Sequence, residues 1–438
     1  MSKILLTGGC VLTLGARTQN LARGDVLIED GVIAEVGAEL RARDAERIDA
    51  TDTIVMPGFV DTHRHAWTTL FRNLGDGDPR TATPASMWAV AELYGPDDVY
   101  AATLAALLGA AEAGITTIVD WSHLRTEDGM AEAALRAHAD SGLRTVFAHA
   151  APPGARSAAV AEVIARLRDV AGPLTSVALG SFLETDDLDG VAEEWAAGRE
   201  LGVRIHAHAS TERARPGVLA RAAERGLLGE DVTLVHPSVV DTADLDAVAS
   251  TGAAISLAPS SGMAAGHGPP PIQQLIDRDV RPGLGIDDER VAPGDLFAQM
   301  RATISVQHAI VFDRKLAGKG ALPRLLSTRD AIRFATRDGA RVAGLADATG
   351  SIEPGKQADV VLLRTDRPNI FPINDPIGAV VWGMDSSNVE RVIVAGRTIV
   401  RDGAVDVDRA RIRELATTAR RRVGAAAGLS LASPGGGG

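Results

Sequence analysis

Apolar and polar positions along this chain fall into two textures, one at the two ends and one between them. The first 55 or so residues alternate over short runs, KILLTGGCVLTLG and then GDVLIEDGVIAEVG, with Asp30-Gly31 as a hairpin signal between apolar stretches. The alternation breaks at Met56-Pro57-Gly58, where an apolar strand leads into a long helical pattern. From there to about residue 345, short β-rich runs and helical periodicities take turns. The strand candidates are VMPGFVDTH, TTIVDWS, RTVFAHA, SVALGSFLE, RIHAHAS, VTLVHPS, AAISLAP and RPGLGIDD. Eight βα units in succession predict an α/β protein built on a TIM (β/α)₈ barrel. After residue 350 the short-strand texture returns, so the two ends are expected to pair into a small β-sandwich beside the barrel. The expected division is 1–55 and 346–410 for the sandwich, 56–345 for the barrel, and 411–438 for a C-terminal helix and flexible tail.

Composition narrows the functional classes. Apolar residues make up 45% of the 438 and are spread throughout, enough for a sizeable core. The formal net charge of −12, with no basic run interleaved with aromatics, repels nucleic acid and anionic membranes on average and favours a small-molecule substrate. The single cysteine, Cys10, excludes an internal disulfide framework and a Cys-rich zinc module, and fits a reducing compartment. No signal-peptide pattern or stretch of about 18 apolar residues is present, so the expected location is cytoplasmic. A homo-oligomer, a dimer by frequency among soluble proteins, is the expected assembly.

The histidines carry the chemistry. Of ten, eight fall at or just beyond the C-terminal ends of predicted barrel strands: His63, His65, His123, His149, His206, His208, His236 and His267. Active sites of such barrels are built at that end, so the placement points to a site rather than to core packing. His63 and His65 are two apart on one strand and share a face, with Arg64 pointing away. A strand-five histidine and the strand-eight carboxylate Asp287 would complete a set of metal ligands. His206 and His208 also share a face, and periodicity does not separate them.

These residues carry a resemblance. Pro57 to His65, PGFVDTHRH, resembles the strand-one signature of the amidohydrolase superfamily. Gly114 to Asp120, Pro259-Ser260-Ser261 with Gly266-His267-Gly268-Pro269, Ala335-Thr336 with Ala340, and Gly350-Ser351-Ile352 through Gly355-Lys356-Gln357-Ala358-Asp359 are similar to later segments of its cytosine deaminase and atrazine chlorohydrolase-like aminohydrolase branch. The resemblance runs to about residue 403. It implies one divalent metal ion, zinc first and iron second, held by His63, His65, His208 and Asp287. His208 is preferred over His206 because the branch often has His-x-His here with the second as ligand, and because its distance to His236 looks typical. The metal would make a water nucleophilic near neutral pH, Asp287 would accept and pass on its proton, and His236 would orient the water or polarise the bond attacked. The implied reaction is hydrolysis of a C–N bond, amine or cyclic amide, in a small heterocycle, deaminase-like in kind.

The chain departs from the branch at one point. Where its deaminases carry a Glu three residues after the strand-five ligand, Thr211 stands, with Glu212 next to it, and threonine cannot deliver that proton at pH 7. Glu212, or Glu184 at the end of strand four, is a candidate replacement; otherwise the substrate needs no such acid, as in hydrolytic dehalogenation or ring opening. Trp67 could stack on a planar ring, and His123, Trp121, His149 and His267 could contact substrate. Asp288 reads as a loop-capping residue rather than a second ligand. The alternative from another class is a metal-free barrel acting as a small-molecule binding module. Gly350 to Lys356 spells G-x-x-x-x-G-K but continues with Gln357, so it reads as a turn and not a phosphate loop.

Overall fold

In the computed structural model the described residues are 2–74, 89–124, 129–150, 157–183, 187–209 and 216–429. Eight parallel strands lie side by side in chain order: Phe59–Arg64, Ile115–Ser122, Arg144–Ala150, Thr175–Leu183, Ile205–Ala209, Val232–Val235, Ala254–Leu257 and Gly283–Leu284. Each overlaps one of the eight runs read from the sequence; five lie wholly inside their run, and three extend one residue past it, to Arg64, Ile115 and Thr175. The ring closes between the eighth and first strands, where Ile286 N and Asp287 N donate to the His63 carbonyl at 3.0 and 2.8 Å and His65 N donates to the Asp287 carbonyl at 2.9 Å. The α/β barrel is therefore as expected, with its shortest strand at the seam.

Alternation along the strands sorts side chains between two cores. Val60, Val119, Trp121, Val146, Ala148, Ala150 and Ala178 fill the barrel interior, joined by Ala340 and Ala343 from the helix Arg337–Val342 and the residue after it. Phe59, Ile118, Phe147, Leu179, Ile205 and Ala207 face the surrounding helices. Burying each such aliphatic or aromatic side chain contributes roughly 1.5–3 kcal/mol, so the helical shell is held mainly by this outer layer.

The chain ends build a separate nine-stranded sheet. Lys3–Val11, Leu21–Glu29, Val32–Gly37, Glu46–Asp49 and Thr53–Pro57 come from the N-terminal part, and Val360–Arg364, Val389–Val394, Arg397–Arg401 and Ala404–Val405 from the C-terminal part. They meet where Thr53–Pro57 runs antiparallel to Val360–Arg364, pairing Val55 with Leu362. Asp30 and Gly31 form the hairpin expected of them, both with positive φ (48° and 85°), so that Glu29 pairs with Val32.

The passage from sheet to barrel is a single residue. Gly58 follows the sheet strand that ends at Pro57 and precedes the barrel strand that begins at Phe59. A Cβ there would stand 2.1 Å from Thr116 Cγ2, so the two layers approach too closely for any side chain. Arg144 on strand three ties the layers again, donating to both carboxylate oxygens of the buried Asp359 at 2.6 and 3.1 Å. Gly350 and Gly355 both adopt positive φ, and Lys356 Nζ donates to the carbonyls of Ala346 and Thr349, so the G-x-x-x-x-G-K stretch is a closed turn. The helix Arg409–Ala426 lies against Pro96–Glu112 through Arg422 to Asp98 and Arg409 to Glu112.

Candidate metal centre

Strand one ends in His63 and His65, strand five carries His208, His236 follows strand six, and Asp287 follows strand eight. All five side chains converge at the C-terminal mouth of the barrel. Possible ligand atoms of His63, His65 and Asp287 lie within 4.8 Å of one another, as do those of His63, His208 and His236. His63 Nε2 and His65 Nε2 stand 3.3 and 3.4 Å from Asp287 Oδ1. Ring centroids are 5.0 Å apart for His63 and His208 and 4.6 Å for His208 and His236.

Local backbone and neighbours aim these groups. His65 Nδ1 lies 2.8 Å from the Trp121 carbonyl, which can only accept, so Nδ1 carries the proton and Nε2 presents its lone pair to the cluster. The Trp121 indole stacks on His208 at 4.0 Å and 26°, and its Nε1 donates to the His206 carbonyl at 2.9 Å. His236 and Asp287 both hold left-handed backbone, φ 41° and 66°. For residues other than glycine this costs on the order of 1–3 kcal/mol and persists where the surroundings impose it, commonly at functional sites.

Electrostatics favour a cation. Burial pushes His63 down to about 4 and His208 well below its ordinary value, so both rings are neutral lone-pair donors at pH 7. Burial alone raises the Asp287 carboxyl, but the contact with His63 and the electrostatic attraction of the His63, His236 and His65 rings outweigh it and hold the group well below the carboxylate range. Among the described residues, His63 Nδ1 and His208 Nε2 are buried without a hydrogen-bond partner, and His63 Nε2 has the 3.3 Å ion-pair contact with Asp287 Oδ1 but no aligned hydrogen bond. Unpaired buried polar atoms cost free energy that coordination would recover. Three imidazoles and one carboxylate suit a divalent ion of the first transition row or zinc.

The other sequence candidates divide. His206, one step deeper on the same face of strand five, is fully buried and belongs to neither ligand group among the described residues. His123 lines the site wall, its ring 5.3 Å from His65 and 5.2 Å from Trp67. Trp67 is buried edge-on against Tyr94, whose hydroxyl donates to the Trp67 carbonyl. His267 stands 5.8 Å from His236, on the strand-seven side. His149 is displaced from the site: strand three turns it outward with Phe147, on which it stacks at 6.2 Å, because the inward face belongs to Ala148 and Ala150. Trp121, fully buried behind His65 and His208, supports those rings instead of presenting a surface to substrate. Glu184, Thr211 and Glu212 lie outside the described residues. Asp288 accepts from Arg290 N at 2.9 Å, the cap expected of it.

One participant escaped the sequence reading. Ser261 Oγ donates to Asp287 Oδ2 at 2.9 Å, leaving Oδ1 toward the histidines. Its motif was visible after strand seven, but the meeting with strand eight is a tertiary fact.

The sequence profile of the amidohydrolase family matches residues 54–399, from the last sheet strand before the barrel to a sheet strand after it. The chain belongs to the amidohydrolase family. This amidohydrolase is 30% identical over 424 residues to a 5'-deoxyadenosine deaminase of Methanothermobacter thermautotrophicus, covering 92% of the chain and 94% of the relative. It is 31% identical to a 5-methylthioadenosine/S-adenosylhomocysteine deaminase of Desulforudis audaxviator, covering 91% and 95%. Its fold matches a zinc-complexed atrazine chlorohydrolase of Arthrobacter aurescens TC1 with a TM-score of 0.83 at 22% identity, over 95% of this chain and all of the other. The enzyme is a metal-dependent hydrolase of carbon–nitrogen bonds other than peptide bonds. Among the described residues no helix is long and apolar enough to cross a membrane.

Proposed function

We propose that this amidohydrolase binds one zinc ion through His63, His65, His208 and Asp287 and removes the exocyclic amine of an adenosine-type nucleoside by hydrolysis. The convergence of those four side chains at the barrel mouth carries the reading, and the names of the full-length relatives supply the substrate class.

When bound, the ion acts as a Lewis acid that makes water nucleophilic near neutral pH. Asp287, ionised and fixed through Oδ2 by Ser261, takes the water proton and returns it to the departing amine, which leaves as ammonia while oxygen takes its place on the ring. His236 stands beside His208 and His63, ring centroids 4.6 and 5.6 Å away, and orients the polar group at the reacting carbon. Trp67 and His123 form one wall of the site and exclude water from a planar ring. We place the enzyme in the cytoplasm, as a homodimer.

A second reading rests on Thr211. If neither Glu212 nor Glu184 protonates the ring nitrogen, the same centre is better matched to displacing halide from an electron-poor heterocycle or to opening a cyclic amide, neither of which needs that acid. A screen of ammonia release from adenosine, 5'-deoxyadenosine, 5'-methylthioadenosine and S-adenosylhomocysteine, with chloride release from a chlorotriazine alongside, separates the two. Ammonia from at least one nucleoside supports deamination; chloride alone, or opening of a hydantoin ring assayed beside it, supports the second reading; none of the three products removes both.

A further inference from the structure

Arg64, between the two strand-one histidines, is fully buried and points away from them. Its guanidinium makes two hydrogen bonds and one further ion-pair contact. Nε donates to Asp61 Oδ2 at 2.7 Å, Nη2 to the Gly294 carbonyl at 3.0 Å, and Nη1 stands 3.0 Å from Glu289 Oε1. Glu289 is held in turn by Thr69 Oγ1 at 2.6 Å and by both Nε and Nη2 of Arg72 at 3.0 and 2.9 Å. The other oxygen of Asp61 accepts from Ile286 N at 3.1 Å, just before Asp287. Asp61, Arg64, Glu289 and Arg72 thus form a chain of alternating charge across the barrel seam.

The seam is where such a device matters. Strand eight contributes only Gly283 and Leu284 to the ladder, and Asp287, three residues on, is left-handed and joined to strand one by a single parallel bridge opposite Arg64. The loop from 288 to 294 has little regular structure to fix it. A Cβ at Gly294 would fall 2.1 Å from Glu289 Oε1, so a side chain there would displace that carboxylate from Arg64. A guanidinium, with five donors in a rigid fork, can hold a strand carboxylate, a loop carboxylate and a loop carbonyl together; an ammonium cannot match that geometry.

We propose that Arg64, acting through Asp61 and Glu289, is a positioning residue that sets Asp287 against His63 and His65 across the barrel seam and so tunes the enzyme's affinity for its metal ion. The inference rests on the zinc-site reading above. Arg64 touches neither ion nor substrate. Its effect passes through the backbone at His63, Ile286 and Asp287.

Zinc affinity of the metal-stripped full-length protein, measured by competition with a chromophoric chelator, tests this together with the thermal midpoint of the zinc-free protein. Glu289→Gln, which keeps shape and the Thr69 contact, and Arg64→Lys, which keeps charge, are expected to weaken zinc binding by about tenfold or more, the usual size for groups that orient ligands. Thr69→Val, the mildest change, is expected to give a smaller loss in the same direction. Lowered midpoints with zinc dissociation constants within about twofold of wild type in all three variants would reduce the network to a structural brace and overturn the inference; the factor of two corresponds to the scatter expected of near-neutral substitutions. If wild type itself binds no zinc, the metal-site reading fails first and takes this inference with it, so the two failures are told apart by the wild-type titration.

Discussion

Ser261 and Asp287 meet across two different barrel units, hydroxyl to carboxylate at 2.9 Å, both buried. The bond assigns the two carboxylate oxygens different work, since Oδ2 is engaged and Oδ1 faces His63 and His65 at 3.3 and 3.4 Å. A hydrogen bond to a charged group contributes about 1.5–3 kcal/mol. Ser261→Ala should therefore lower kcat by about tenfold or more, with KM nearly unchanged, because the group lost orients the proton acceptor and does not touch substrate. Ser261→Thr, which keeps the hydroxyl, should recover part of the rate. Steady-state kinetics of the two variants decide it; a wild-type kcat in Ser261→Ala would show that Asp287 needs no such anchor.

The strand-five histidines should separate cleanly. His208→Ala removes a donor whose ring lies 5.0 Å from that of His63, and should leave purified protein with little bound metal. His206→Ala opens a small cavity one layer deeper and should retain metal while losing some stability, on the order of 1–3 kcal/mol. Elemental analysis after metal-supplemented expression checks both, and the reverse pattern would move the ligand assignment to His206.

His149 provides a pH prediction away from the metal. Burial, with a smaller contribution from Arg166, pushes it down to about 4. Its ordinary value is 6.5, so between pH 6.5 and about 4 the unfolded chain takes up a proton that the folded chain refuses. Stability contributed by neutral His149 is thus complete above pH 6.5 and is lost as pH falls toward 4, by roughly 1.4 kcal/mol per pH unit at most. His149→Phe, which can keep the stack on Phe147, should flatten that part of the stability curve relative to wild type. Denaturant midpoints at pH 7, 6, 5 and 4.5 measure the difference; parallel curves would mean that His149 titrates normally in the fold.

Much of this architecture was legible in the sequence, and the exceptions share a cause. Strand periodicity located all eight barrel strands because each is a short apolar run bounded by turns, and the His-x-His spacing on strand one fixed which side chains share a face. Inward and outward faces were less legible, because strands buried on both sides carry no polar face to mark direction. His149 accordingly read as a site residue although it faces the helices. The partnership of Ser261 with Asp287, and of Arg64 with Glu289, joins residues 26 and 225 positions apart by numbering, and no local pattern announces either. Gly58 was seen as a change of texture; that it alone separates the last N-terminal sheet strand from the first barrel strand became visible only with Thr116 packed against it.

The dependence of catalysis on the metal centre is measured by the rate of ammonia release from 5'-deoxyadenosine by metal-stripped enzyme as zinc is added back in known amounts. Almost no activity is expected without metal, with a linear rise to a break at about one equivalent per chain and no recovery in His208→Ala at the same zinc concentrations. Full activity in the stripped protein, or a rate that ignores added zinc in a protein shown to turn over the nucleoside, would contradict that dependence.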